Sequence, residues 1–245
     1  MNRTIAELTL RTLLGRRRAW LLLVLPVALL ILSVLLRLTV GQDDRTDVAV
    51  VVLGAFAIAT VVPLIALIAG TGALGGEIDD GSIVYLLSKP VSRHVIITTK
   101  LAVSGAVVTL FGAVPVFLAG LVLVGGQDRL AVAFGLGALV AGVTYCAAFL
   151  LLSVLTRNAV VVGLIYALVW EAGVGNVLPG ARALSIQQWS LAVTRAVVGA
   201  DRADALELTA AVRPAISVVL LLVVLVGATY LAGHRLRSLR LTLAG

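Results

Sequence analysis

Residues 19–38 read AWLLLVLPVALLILSVLLRL, twenty positions with a single charge at Arg37. At ~1.5 Å per residue a helix of this length is ~30 Å long, the thickness of a bilayer's hydrocarbon core. Arg16, Arg17 and Arg18 precede the run, as basic residues also precede a secretory signal. The run is too long for a signal's apolar region, however, and it continues into Thr39-Val40-Gly41-Gln42-Asp43 with no small-residue cleavage site. It reads as a retained transmembrane helix.

Five more apolar runs follow outward from it, at about 48–73, 101–124, 130–155, 159–178 and 214–233. The composition agrees with six spans. Of 245 residues, 61% are hydrophobic and 13% charged, with a mean hydropathy of +1.14, where soluble domains carry roughly a quarter charged residues. Six spans of about 20 residues leave short connections plus one longer one, and no room for a separate soluble domain. The expectation is an all-α integral membrane protein with residues 1–245 as one transmembrane domain.

Charge sets its orientation. Nineteen Lys and Arg against twelve Asp and Glu give a net charge of +7, which in a soluble protein could suggest a nucleic-acid partner. In a polytopic protein the excess basic residues belong in cytoplasmic loops. With both termini on one side, that face collects 12 basic residues, including Arg3, Arg11, Lys89, Arg93, Lys100 and Arg157; the other collects 7. An N-in, C-in topology follows, with no nucleic-acid partner. The lone Cys146 can form no intrachain disulfide.

Much chemistry is excluded. A Walker A loop needs its lysine directly after a glycine, but Lys89 follows Ser88 and Lys100 follows Thr99. Gly70, Gly72 and Gly75 satisfy a dinucleotide pattern only formally, because no β-α-β unit surrounds them; small residues that permit close helix contact explain them better. His94 and His234 have no ligand spacing with acids or with Cys146. No G-x-S-x-G elbow appears. The expectation is a chain that is not an enzyme and binds neither metal nor cofactor.

Three segments carry information beyond the spans. Arg3, Glu7 and Arg11 fall on one helical stripe while Ile5, Leu8 and Leu13 point elsewhere, which suggests an interfacial helix on the cytoplasmic leaflet; a basic lead-in that only fixes topology is the alternative. The 179–213 connection is too long for a hairpin, and its apolar stretch 183–198, interrupted by Gln187, Gln188 and Arg195, is too broken to span. Short external or re-entrant helices suit it. The third segment is 77–100, where Asp80 or Ser82 can cap a short helix, Ile83, Leu86 and Leu87 form an apolar face, Pro90 ends it and Ser92 caps the next helix. That apolar face can bury itself in lipid headgroups or meet a protein partner.

The pattern formed by Glu77, Gly81, Ser82, Tyr85, Leu86, Leu87, Ser88, Pro90, Ser92, Arg93 and Lys100 resembles the signature of ABC-2-type transporter permeases, the membrane subunits of ATP-binding-cassette exporters. Tyr166, Trp170 and Glu171, followed by Pro179, Gly180, Ala181, Arg182, Leu184 and Ser185, are similar to the end of span five and its following loop in the same proteins. With the six-span layout, the resemblance covers essentially the whole chain.

The resemblance implies a division of labour. A separate nucleotide-binding subunit would bind ATP and Mg, a second permease copy, identical or related, would complete the pathway, and the cell membrane of a bacterium would be the location. The segment after span two would be the coupling helix, running from Ser82 to Pro90 and including Lys89, with Leu86 and Leu87 as anchors and Tyr85 at the contact. Glu77, Arg93 and Lys100 would bracket it. Glu171 reads either as a gate or substrate contact on the external side, or as a structural carboxylate that pairs with Arg182 or caps the external loop. A self-contained secondary carrier using Glu171 as its proton site is an alternative, although the two halves show no convincing internal repeat. A non-transporting scaffold or sensor coupled to an ATPase is another.

Overall fold

The computed structural model describes residues 3–79, 92–126, 129–174 and 182–238, and every regular element among them is helical. Helix α1 (Arg3–Leu13) leads into α2 (Arg16–Thr39). An apolar span α3 covers Arg45–Ile78, with a turn at Ala73 and Leu74, α4 covers Arg93–Val124 and α5 covers Leu130–Leu155. Helix α6 starts at Ala159–Ile165 and continues through Tyr166–Val174; α7 (Ile186–Val198), α8 (Ala200–Ala205) and α9 (Pro214–Ser238) complete the chain.

Among the described residues, five helices are long and apolar enough to cross a membrane: Trp20–Thr39, Arg45–Ile78, Arg93–Val124, Leu130–Leu155 and Pro214–Leu236. The remaining expected span, 159–178, contributes the shorter apolar helix Ala159–Glu171, and its expected final residues lie outside those described. The spans around the expected coupling segment are longer than hydropathy indicates. Helix α3 starts at Arg45 rather than near 48 and α4 at Arg93 rather than 101, because polar residues at a span's edge continue a helix as readily as apolar ones do.

Two spans contain wide π-helical turns, Val52–Val61 in α3 and Thr109–Ala113 in α4. Each runs up to a proline near the start of the α-helix that follows, Pro63 and Pro115. Proline has no N–H to give the carbonyl four residues back and its ring crowds that carbonyl. Those carbonyls belong to Ala59 and Phe111, both inside the wide turns, so widening relieves the clash. Hydroxyls within the spans bond back one turn: Ser33 donates to the Leu29 carbonyl at 2.8 Å, Thr71 to Leu67 at 2.6 Å and Thr144 to Val140 at 2.8 Å. No polar group on these side chains is then left unmet in hydrocarbon.

Helix α5 is the hub, packed against α3, α4, α7 and α9. Small residues let backbones approach it closely. A Cβ on Gly70 of α3 would lie 2.9 Å from the Cys146 carbonyl oxygen, and one on Gly120 of α4 would lie 2.8 Å from the Ala131 Cα. By contrast α2 and α9 keep wide apolar faces exposed, and α6 presents Val160, Val161, Leu164, Ile165 and Val169 outward.

Helix α1 does not lie apart from the bundle. Ile5, Thr9 and Leu13 form its buried stripe, and it packs on α4. Leu8, which the spacing groups with Ile5 and Leu13 away from the charged stripe, is 53% exposed. Ile5 joins Leu74, Ile96, Ile97, Leu150, Ala232 and Leu236 in an apolar cluster that ties α1, α3, α4, α5 and α9 together at one end of the bundle. Opposite Ile5, Arg11 donates to Glu7 at 2.8 Å on the exposed face. Arg3 begins the helix.

Candidate functional site

Two places concentrate polar chemistry. The first is at the α1 end of the bundle, where α3 ends and α4 begins. Lys100 is fully buried, and its Nζ donates to Glu77 Oε1 and to the Ala73 carbonyl, each at 2.6 Å. The lysine stands about two turns into α4 with no exposed surface, so its acceptors come from the protein. The slack turn at Ala73 and Leu74 frees a carbonyl for it. The pair joins residues 23 apart in sequence, and therefore staples together the two helices from which the 80–91 connection emerges. Arg93 opens α4, and Ser92 caps it by accepting from the Val95 N–H at 3.4 Å. Of the expected coupling residues, Glu77, Arg93 and Lys100 are described; Gly81, Ser82, Tyr85, Leu86, Leu87, Lys89 and Pro90 lie outside the described residues.

The second place is a buried carboxylate. Glu171 is fully buried. Its Oε1 accepts from the Tyr166 hydroxyl at 2.8 Å and from the Ile186 N–H at 3.1 Å. Its Oε2 accepts from the Ser185 hydroxyl and from the Gln187 N–H at 3.4 Å. Ser185 is the N-cap of α7, and its oxygen accepts from the Gln188 N–H at 3.3 Å. The first amides of α7, which have no partners within their own helix, are thus met by one carboxylate and one hydroxyl. The buried Tyr145 hydroxyl of α5, which has no hydrogen bond of normal length, faces Glu171 and the Gln187 backbone.

The sequence reading set Glu171 near the end of its span on the external side, and the structure gives its position relative to α5. Gly163 of α6 rests on Phe149 of α5. Glu171 lies eight residues further on, about 12 Å along the helix, and meets Tyr145 near the middle of Leu130–Leu155. The carboxylate therefore sits about halfway across the bundle. Arg182 is exposed three residues before the cap, where its carbonyl accepts from the Ser185 N–H at 3.3 Å.

Tyr166 and Ser185 belong to the quoted motif, but spacing alone assigns them no role. Residues five apart on an α-helix point ~140° away from each other. The wide turn of Tyr166–Val174 turns more slowly per residue and brings Tyr166 onto the face of Glu171. Beyond the cap, α7 buries Gln187, Gln188, Trp189, Ser190 and Thr194. A Cβ on Gly137 of α5 would meet Thr194 Oγ1 and the Ser190 carbonyl, so the missing side chain is what admits α7 into the helix layer.

A bundle of long apolar helices, with the buried Lys100 paired to Glu77, defines a multi-pass membrane protein. The profile of the ABC-2 family transporter proteins matches residues 3–236, and the chain belongs to that family: it is an ABC transporter permease. Membership implies an ATP-binding partner in general. No curated protein matches the chain.

Proposed function

We propose that the chain is the transmembrane subunit of an ATP-binding-cassette exporter, moving its substrate out of the cell with energy from ATP hydrolysed by a separate subunit. ATP and Mg bind there, and this chain is not itself an enzyme. In this reading six helices cross the membrane with both termini in the cytoplasm, and the α1 end, with Glu77, Lys100 and the 80–91 connection, faces the side where the ATPase resides. The observation that carries the reading is the buried Lys100–Glu77 pair. It makes one rigid lever of α3 and α4 at the point where the connecting segment leaves the membrane, and α1 braces α4 from the side.

In this reading Leu86 and Leu87 anchor the segment in the partner, and two permease copies pair through the exposed apolar helix faces in a bacterial cell membrane. The test is purification from native membranes with and without Leu86→Asp and Leu87→Asp, followed by mass spectrometry and an ATP hydrolysis assay. A P-loop ATPase is expected with the native chain and not with the double variant. Equal recovery with both, or no ATPase after crosslinking, overturns the coupling reading and leaves the secondary carrier or the scaffold.

A further inference from the structure

We propose that Glu171 is a positioning residue, a carboxylate midway across the bundle that clamps the N-terminus of α7 and holds that helix against α5 and α9. At 13 residues, α7 is ~20 Å long, too short to cross a bilayer. Its first residues, Ser185, Ile186 and Gln187, are buried among the neighbouring helices, so its first amides take their acceptors from the protein. The polar ties described from its first turn to a spanning helix converge on Glu171, which receives the Ile186 and Gln187 N–H groups and the Ser185 hydroxyl that caps the same turn. The other described polar ties of α7 are local or lead to connecting segments: Trp189 Nε1 donates to the Ala183 carbonyl at 2.8 Å, Gln188 Oε1 accepts from the Ala211 N–H at 3.4 Å, and Arg195 pairs with Asp204.

The residue type matters for this task. Four donors face the two oxygens of one side chain, a demand that an acceptor-only carboxylate meets. Glutamine offers one oxygen and adds two donors of its own, so it meets about half of that demand. Alanine meets none and leaves amides exposed to hydrocarbon, an arrangement that a membrane-embedded helix end does not tolerate. Tyr166 orients the carboxylate from within α6, so any displacement of α6 is carried directly to the start of α7. The Gly137 notch allows α7 to sit there, and Glu171 determines that it stays.

The consequence can be read without ATPase or substrate, so this inference stands or falls separately from the export reading. With Cys146→Ala removing the native thiol, Ser190→Cys places a probe on the buried face of α7, and Ser104→Cys places a control in α4 against α5. Both are reacted in lipid nanodiscs with a charged maleimide that reaches either side of the membrane. With Glu171 present, both sites react slowly. Glu171→Ala is expected to speed reaction at 190 at least tenfold, with Glu171→Gln intermediate, Glu171→Asp nearer the parent than Gln, and position 104 unchanged. Ser185→Ala, which leaves the carboxylate in place, is expected to give a smaller rise at 190 and serves if the Glu171 variants fail to accumulate. Rates at 190 within twofold of the parent in all variants overturn the proposal, as does an equal rise at 104, which would mean general loosening rather than release of α7.

Discussion

Lys100 shows how one side chain in an apolar helix constrains its neighbours. A lysine buried at 0% exposure is tolerable only with acceptors in place, and here both come from α3: a carbonyl and the Glu77 carboxylate. Removing one member of such a pair leaves the other without its partner, a change that costs about 3–5 kcal/mol in soluble proteins. Lys100→Ala is expected to lower the thermal unfolding midpoint in detergent sharply, and Lys100→Met with Glu77→Gln to cost less than the two single changes added together. Additive losses would show that the contact carries no coupling. The glycines offer a second test at this scale. Gly120→Ala drives a methyl against the Ala131 backbone, whereas Gly75→Ala meets nothing within 4 Å. The first is expected to destabilise by about 1–3 kcal/mol and the second to be neutral or stabilising in the same assay.

At the scale of elements, amphipathic spacing anticipates α1 but not the face it uses. Ile5, Thr9 and Leu13 turn inward and Leu8 does not, because Ile5 packs with Ile96 and Leu236 and Leu13 joins the main core, residues far away in sequence. Ile5→Asp is therefore expected to detach α1, seen as faster amide hydrogen exchange over residues 3–13, while Leu8→Asp leaves exchange unchanged. A similar rise in both variants would place α1 on the membrane surface alone. The spans show the same division. Hydropathy locates α2, α5 and α9 to within a few residues, since chain solvation dictates them locally. It does not show the wide turns before Pro63 and Pro115, whose cause is a backbone clash that leaves hydropathy unchanged. Nor does it show the wide turn that brings Tyr166 onto Glu171.

For the whole molecule, the count of crossings decides the orientation of everything else. Six crossings put both termini on one side, and five put them on opposite sides. Reporter tags at the two ends, read by protease or label accessibility in sealed vesicles, are expected to show both termini cytoplasmic; opposite sides would remove α6 from the set of spans and invert the assignment of α7. Membrane residence, the helical class and the family signature were all legible along the chain, because hydrophobic length, charge placement and short motifs are local properties. The bracketing charges were legible too, as residue types: Glu77 and Lys100 stand out in the motif, and Glu171 stands out as an acid in an apolar run. Their partners and depths were not. That Lys100 also binds the Ala73 carbonyl, that Glu171 lies beside the middle of α5, and that it accepts from the first amide of a helix beginning fifteen residues later follow from how α3, α4, α5 and α6 pack. In a medium without water each buried polar group must find its partner within the protein, and chain packing selects which partner that is.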